Sequence, residues 1–101
     1  MKVSLIISTY NWPQALLRCL ESVASQTIAP FEIIIADDGS TEETKKLITL
    51  FSCTTHVPIV HVWHEDNGFR LSAIRNKAIS QAKGDYIIQI DGDVVLESHF
   101  I

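Results

Sequence analysis

Two carboxylates one residue apart follow a mostly apolar run near the end of the chain. The run from Tyr86 to Ile90 has the composition of a buried strand, and Asp91, Gly92 and Asp93 come directly after it. Hard divalent cations such as Mg²⁺ and Mn²⁺ prefer oxygen ligands, so two acids at the exposed end of a strand can hold a cation that carries a phosphate. The alternative is a simple polar turn, because Asp and Gly are also common turn residues.

Two further polar clusters follow apolar runs earlier in the chain. Residues 8–11 (STYN) follow a run at 3–7, and residues 37–40 (DDGS) follow a run at 31–36. In an open parallel sheet, ligands bind outside the carboxyl ends of the strands, where the strand order reverses. A strand order of 3-2-1-4 would bring all three clusters to one crevice. This convergence favours a binding site over three unrelated turns.

The usual phosphate-binding loops are missing from the first cluster. It contains no glycine, so neither a GxGxxG loop nor a Walker loop is present to hold phosphates with backbone amides. A metal must therefore do that work. A cation bound by Asp93, and partly by Asp91, can bridge phosphate oxygens and neutralise charge as a diphosphate leaves. Asp38, at the end of the second run, can accept hydrogen bonds from a base or a ribose.

The spacing of apolar residues predicts strands and helices that alternate in the order βαβαβαβ. Strands are expected at 3–7, 31–36, 59–63 and 86–90, and the third helix at about 71–82. Gly84 is expected in the left-handed conformation that often ends a helix. The pattern predicts an α/β fold, with a Rossmann-like, mostly parallel sheet and helices on both faces.

Capping signals place the starts of the first two helices. Asn11 is the predicted N-cap of the first helix, with Pro13 and Gln14 in its first turn, and Ser40 with Glu43 is the predicted capping box of the second. The expected apolar stripe of the first helix is Leu16, Leu17, Leu20, Val23 and Ala24. The expected buried face of the second is Leu47, Ile48 and Phe51.

Composition bounds the kind of protein. A chain of 101 residues with 47% hydrophobic content can form one core, so residues 1–101 are predicted to be a single domain. The net charge of −4 argues against a nucleic-acid partner. Cys19 and Cys53 have no metal-ligand spacing and are expected to be reduced thiols of a cytoplasmic protein. The chain stops eight residues after Asp93 without a polar tail, which suggests a part of a longer protein.

Several separated motifs cover nearly the whole chain in a fixed order. They are VSLIISTYN (3–11), SV (22–23), QT (26–27), IIIADDGST (33–41), RNKA (75–78), GDY (84–86) and DGD (91–93). Together they resemble the nucleotide-sugar-binding half of family 2 glycosyltransferases. The segment EDNGFR (65–70) further resembles members of the chondroitin-polymerase and galactosyltransferase-like branch.

The resemblance implies a GT-A fold, a nucleoside-diphosphate sugar donor (expected to be a UDP-sugar), and a Mn²⁺ or Mg²⁺ ion. It also implies inverting glycosyl transfer to a saccharide acceptor in polysaccharide biosynthesis. By position, Ser8 and Tyr10 would border the nucleobase and Asp38 would hydrogen-bond to it. Arg75 would lie near the nucleotide or its phosphates.

By the same resemblance, Asp91 would meet the ribose or the metal, and Asp93 would ligate the metal directly. The general base and the acceptor site of the family lie beyond Ile101, so no catalytic residue is assigned within the chain. The alternative is therefore a nucleotide-diphosphate-binding module without activity. The full-length enzyme is expected to be cytoplasmic or peripheral to a membrane.

Three remaining patterns bear on rival functions. Haloacid-dehalogenase-type phosphatases also carry Asp-x-Asp at a strand end, but on the first strand of the domain, whereas here it follows the fourth. His61 and His64 are three positions apart in or after a strand, so their side chains are expected on different faces and away from a shared metal site. A sheet that ends with the strand at 86–90 has an apolar edge, which predicts self-association of the isolated chain.

Overall fold

The computed structural model describes residues 2–64 and 71–96, and its strands and helices alternate along the chain as predicted. The strands are β1 (Val3–Thr9), β2 (Glu32–Asp37), β3 (Ile59–Trp63) and β4 (Tyr86–Asp91). The helices are α1 (Pro13–Ala24), α2 (Glu42–Ser52) and α3 (Leu71–Gln81). None of the helices in the described part is long and apolar enough to cross a membrane.

All four strands are parallel and lie in the order β3-β2-β1-β4, which confirms the predicted order. Ser8 of β1 pairs with Ala36 of β2 on one side and with Asp91 of β4 on the other. Thr9 pairs with Asp37. The carboxyl ends of the three strands that carry the polar clusters are therefore level with one another at the same edge of the sheet.

The sheet separates two apolar cores, and helices cover both of its faces, as predicted. One core joins alternate residues of β1 and β2 to α1 and α2, and its fully buried members include Leu5, Ile7, Ile33, Ile35, Leu16 and Leu20. The other core joins the intervening residues to α3, and includes Ile6, Ile34, Ala36, Ile74 and Ala78. Both faces of β1 and β2 are buried, which explains why their sequences are continuous apolar runs.

Helix α1 begins one residue later than its capping signal suggested. Trp12 is the N-cap and makes no side-chain capping bond, so the assignment of Asn11 as N-cap is wrong. Asn11 has a positive φ of 45°, a conformation that Asn tolerates better than most residues. Its backbone N–H donates to Ser40 Oγ at 2.7 Å, and its Oδ1 accepts from the Thr41 N–H at 2.8 Å. Asn11 thus ties the end of β1 to the loop after β2.

The buried stripe of α1 is narrower than predicted. Leu16, Leu20 and Val23 are buried, but Leu17 is 38% exposed and Ala24 is exposed. Cys19 takes part in the core instead.

Helix α2 also lacks its predicted capping box. Thr41 is the N-cap and makes no side-chain capping bond, and the Ser40 hydroxyl accepts a hydrogen bond from the Asn11 N–H instead. Glu43 is exposed in the first turn, where a negative charge favours the helix dipole without a capping contact. On the predicted buried face, Ile48 is buried, while Leu47 and Phe51 are partly buried against the core.

Gly84 does not have the left-handed conformation predicted for it, since Gly39 (φ 85°) is the glycine with positive φ in the described part of the chain. Gly84 is required for a different reason. A Cβ at this position would lie 2.6 Å from both the Lys2 carbonyl oxygen and Ser4 Oγ. The Gly84 N–H donates to Ser4 Oγ at 2.8 Å, so the close approach carries a hydrogen bond that starts β4 beside β1.

Candidate functional site

A cleft of about 200 Å³ lies at the carboxyl ends of β1 and β4. Its lining residues are Ser8, Thr9, Tyr10, Trp12, Asp91, Gly92 and Asp93. Four of the six predicted site residues therefore line one cavity. The parallel register explains this, because Ser8 and Asp91 are paired across the two strands.

Gly92 allows the two acids to sit at the rim of this cleft. It is buried, and its N–H donates to the Ser8 carbonyl oxygen at 2.7 Å. A Cβ at Gly92 would lie only 2.8 Å from that same oxygen. The Val94 N–H donates to the Asp91 carbonyl oxygen at 3.2 Å and closes a turn around the glycine. The same residues therefore form a turn and present two acids at the cleft. The polar-turn interpretation and the cation-site interpretation of the motif are thus compatible.

Arg75 of α3 reaches the same strand ends from the other side. Its Nε donates to Ser8 Oγ at 3.0 Å, and its Nη2 donates to Asp91 Oδ1 at 3.0 Å. The side chains of Arg75 and Asp91 are 35% and 64% exposed, so water screens this ion pair and it adds little stability. Its effect is to place a cation between the first polar cluster and the acid pair.

Asp38 is held beside the end of β1. Its backbone N–H donates to the Thr9 carbonyl oxygen at 3.0 Å, and the residue is buried. Its Oδ1 is hydrogen-bonded to His64 Nε2. The structure therefore fixes the side chain that the sequence proposed for base or ribose recognition.

Sequence reasoning missed the two Asp–His contacts between β2 and β3. His61 Nε2 lies 2.7 Å from Asp37 Oδ2, and His64 contacts Asp38. The two histidines thus serve different aspartates, in agreement with the expectation that they do not share a site. A signal was present in the sequence, because His61 of β3 and His64 just after it lie beside Asp37 of β2 and Asp38 just after it. The pairing of these histidines with these aspartates can be predicted only when the register of the two strands is known.

Asp37 belongs to the loop and not to the cleft. It is fully buried, its Oδ1 accepts from the Ser40 N–H at 2.9 Å, and His61 holds its other oxygen. The Trp63 indole N–H donates to the Ser40 carbonyl oxygen at 3.1 Å. A separate cavity of about 420 Å³ lies along this loop, lined by Ser40, Thr41, Glu42, Lys45, His61 and Trp63.

The acid pair fits a cation that is shared with a phosphate ligand. Within residues 2–64 and 71–96, no group of three or more His, Cys, Asp or Glu side chains is placed to hold a metal ion. The rim of the cleft offers two carboxylates, and Asp91 is already paired with Arg75. Mg²⁺ and similar ions are commonly bound by one or two carboxylates together with substrate phosphates and water. Asp93 is the better candidate for the first protein ligand.

The thiol of Cys19 lies behind the acid pair. Its Sγ is 4.0 Å from the Asp91 carbonyl oxygen. Burial, reinforced by the negative charge of Asp93, raises the pKa of Cys19 from 9.0 to about 11. Cys53, by contrast, is exposed at the end of α2.

A parallel sheet in this order, with polar clusters at the ends of its inner strands, defines an α/β domain of the nucleotide-binding kind. The chain belongs to glycosyl transferase family 2, whose sequence model matches residues 4–101. This membership confirms the resemblance found in the motifs. It favours glycosyl transfer over the phosphatase alternative.

Curated relatives agree with this family. The hyaluronan synthase of Pasteurella multocida is 39% identical over 95 residues, which are 91% of this chain and 9% of that protein. The chondroitin synthase of Escherichia coli is 34% identical over 95 residues, or 94% of this chain and 13% of that protein. Glycosyltransferase GlyG of Streptococcus pneumoniae is 32% identical over 99 residues, or 98% of this chain and 32% of that protein. The chain thus spans a third or less of the length of these relatives.

Solved structures give the same fold. Staphylococcus aureus TarS superposes with a TM-score of 0.79 at 26% identity, over 98% of this chain and 18% of TarS. TarS 1-349 in complex with UDP-GlcNAc gives a TM-score of 0.73 at 28% identity, over 92% of this chain and 27% of that one. The mannosyltransferase PcManGT from Pyrobaculum calidifontis, in complex with GDP-Man and Mn²⁺, gives 0.78 at 24% identity, over 91% of this chain and 27% of that one. The fold is therefore GT-A, as expected.

Proposed function

We propose that this chain is the donor-binding part of a glycosyltransferase that takes a UDP-sugar together with a divalent metal. One observation carries the proposal: Ser8, Tyr10, Asp91 and Asp93 line one cleft, and Arg75 bridges Ser8 to Asp91. The similarity to TarS, which is solved with UDP-GlcNAc, supports the choice of nucleotide.

In this proposal, the nucleoside is recognised at the ends of β1 and β2. Ser8 and Tyr10 border the base, and the buried carboxylate of Asp38 accepts a hydrogen bond from it. A hydrogen bond to a charged group contributes about 1.5–3 kcal/mol, which is enough to discriminate between bases. The recognition is precise because Asp38 is anchored to β1 through its backbone.

The diphosphate is placed between α3 and the acid pair. Arg75 supplies positive charge at the strand ends, and it is already oriented by Ser8. Asp91 serves the ribose or the metal, and Asp93 is the main metal ligand, with Mn²⁺ or Mg²⁺ as the ion. When bound, such an ion supplies charge neutralisation for the departing diphosphate.

We further propose that transfer inverts the anomeric carbon, that the acceptor is a saccharide, and that the product is a polysaccharide. The general base is assigned to a part of the enzyme beyond this chain, so the chain alone binds the donor without transferring its sugar. We also propose that the whole enzyme works in the cytoplasm or at the membrane surface.

Calorimetry of the chain with UDP, GDP and CDP, each with and without Mn²⁺, tests the site. We expect UDP binding that requires Mn²⁺ and that is lost in Asp93→Ala. Glu21→Ala is the matched control, because Glu21 is an exposed carboxylate on α1 and does not line the cleft. Binding without metal, or binding unchanged in Asp93→Ala, contradicts the role of Asp93.

A second assay tests whether this chain alone can transfer the sugar. Release of sugar from a UDP-sugar is measured with this chain and a saccharide acceptor. We expect no transfer above the rate without protein. Turnover by the chain alone would show that the base lies within it.

A further inference from the structure

We infer that the cavity between α2 and the outer strand β3 is a second binding site, which takes a neutral pyranose ring of a saccharide. Its volume of about 420 Å³ is roughly twice that of the cleft at the acid pair, and it falls within the usual range for ligand pockets. Among the described residues, its lining includes none of those assigned to the donor. The inference therefore goes beyond the proposed donor site and can be tested without UDP or a metal.

Trp63 at the end of β3 forms one wall of this cavity. Val62 packs in the core under α3, so the next residue, Trp63, lies on the opposite face of the sheet, beside α2. Its indole N–H donates to the Ser40 carbonyl oxygen at 3.1 Å, which fixes the orientation of the ring. Even so, 46% of the residue is exposed. Anchoring of the loop explains the bound N–H, but it does not require a large ring open to solvent inside a cavity.

The exposed part of the Trp63 indole consists of carbon, because its one polar atom is already used by Ser40. A ligand that covers this ring must therefore present apolar groups to it. A pyranose ring meets this requirement on one face, where its axial C–H groups project, while its hydroxyls lie around the edge. A tryptophan that is held in place also loses little conformational entropy when it is covered.

Two opposite charges lie on the helix side of the cavity. Glu42 and Lys45 are exposed, are three positions apart on α2, and both line the cavity. Within the described part of the chain, neither of these side chains makes a hydrogen bond or an ion pair. Their polar atoms can therefore bond to a ligand without first breaking a contact inside the protein.

The combination of charges favours a neutral ligand that carries hydroxyls. A carboxylate can only accept hydrogen bonds and an ammonium group can only donate them, whereas a sugar hydroxyl does both. A phosphate would be opposed by Glu42, and an organic cation by Lys45. The saccharide held here would be the one that the proposed reaction extends, and only this last assignment rests on the proposed function.

The test uses NMR, because the chain has only two tryptophans, Trp12 and Trp63. Their indole N–H signals are assigned with Trp12→Phe. Chitotetraose, a neutral oligomer of N-acetylglucosamine, is then titrated into the chain. We expect the indole signal of Trp63 and the amide signal of Thr41 to shift with a dissociation constant on the order of 1 mM, while the Trp12 signal stays in place. Sorbitol, which has hydroxyls but no ring, should cause no saturable shift.

Variants of the cavity give the second part of the test, with affinity measured from the Thr41 amide. Trp63→Ala should weaken chitotetraose binding roughly tenfold, and Trp63→Phe less, since it keeps an aromatic ring. Lys45→Ala should weaken it roughly threefold, because one hydrogen-bond donor is lost. Lys46→Ala is the matched control, since this exposed neighbour on the same helix does not line the cavity, and its affinity should be unchanged.

Circular dichroism establishes that each variant is folded. If Trp63→Ala does not fold, the two lysine variants decide: a loss confined to Lys45→Ala supports the inference, and equal affinities of the two overturn it. An unchanged affinity in a folded Trp63→Ala also overturns it.

A shift confined to Trp12, or an equal response to sorbitol, overturns the inference. A stronger response of Trp63 to uridine than to chitotetraose overturns it as well, because the ring would then be a platform for a planar base. The proposed function is tested separately. Loss of UDP binding with Mn²⁺ in the wild-type chain contradicts that function alone, and absence of a saccharide response beside intact UDP binding overturns this inference alone.

Discussion

The thiol of Cys19, which is buried behind the exposed acid pair, gives a quantitative test of the packing at this end of the sheet. The pKa of this group is raised from 9.0 to about 11, first by burial and then by the negative charge of Asp93. A thiol that resists ionisation in the folded state has a definite effect on stability. Below about pH 9 the folded and unfolded chains both carry the neutral thiol, so the free energy of unfolding does not depend on this group.

Between pH 9 and about 11 the unfolded chain loses the proton while the folded chain keeps it. Ionisation then lowers the free energy of the unfolded state, and the stability of the fold falls as the pH rises. Each pKa unit of difference corresponds to about 1.4 kcal/mol, so the loss contributed by Cys19 approaches about 3 kcal/mol once the pH exceeds the folded pKa.

The assay is urea unfolding at several values between pH 7 and 11, with EDTA present, on the wild type and Cys19→Ala. Other groups titrate in this range, so the relevant quantity is the difference between the two proteins. We expect the wild type to lose about 2 kcal/mol more than Cys19→Ala between pH 7 and 11, because about half of the folded chains have also ionised Cys19 at pH 11. Asp93→Asn should reduce the loss, because it removes the smaller cause of the shift.

Alkylation gives an independent reading. At pH 8 the raised pKa makes the thiolate of Cys19 about a hundredfold scarcer than for an unperturbed thiol, so the exposed Cys53 should react first in the native protein. Equal rates of reaction at Cys19 and Cys53 in the native protein, or parallel pH profiles for the wild type and Cys19→Ala, would refute the reasoning.

Three further predictions concern the strand ends and the edge of the sheet. Gly92→Ala should lower the free energy of unfolding by about 2–4 kcal/mol in urea titrations, because its Cβ would lie 2.8 Å from the Ser8 carbonyl oxygen; a loss below 1 kcal/mol would contradict this. Asn11→Ala should cost about 0.5–1.5 kcal/mol in the same assay, since the exposed Thr41 N–H exchanges its acceptor for water, and an unchanged midpoint would show that the link is unimportant. The isolated chain should self-associate through the edge strand Tyr86–Asp91, which light scattering at increasing concentration checks; a monomer throughout would argue against this edge as an interface.

The sheet was predictable because its signal is local and redundant. Apolar runs buried on two faces give β1 and β2, and the intervening 3.6-residue pattern gives α1. The strand order followed from placing three polar clusters in one crevice. The strands and their order can be predicted without knowing which side chains are in contact.

The helix caps and the glycine were mispredicted because their partners are distant in sequence. Asn11 and Ser40 both have good capping chemistry, yet they bond to each other's loops across 29 residues. Gly84 is needed for close approach to Ser4, 80 positions away, and not for its own backbone conformation. Capping and glycine rules consider only neighbouring residues in the sequence. They therefore mispredict residues whose hydrogen bonds or close contacts are made with distant parts of the chain.

The candidate site shows the same division. The ends of β1, β2 and β4 could be identified from residue types, and the structure brings Ser8, Tyr10, Asp91 and Asp93 to one cleft. The partner of Asp38 could not be identified, because the contact with His64 depends on the register of β2 against β3.

The bridge that Arg75 makes to Ser8 joins residues 67 positions apart, so the cleft is a product of the whole topology and not of any segment. Parallel strands need long crossovers, and contacts of this range form late, after loop closure has been achieved. A partly folded chain in which β4 has not docked lacks the rim formed by Asp91 and Asp93 and the contact of Arg75 with Asp91. Binding of the proposed donor would therefore report completed folding, and through mass action each tenfold rise in saturating ligand would add about 1.4 kcal/mol to the stability of the entire domain.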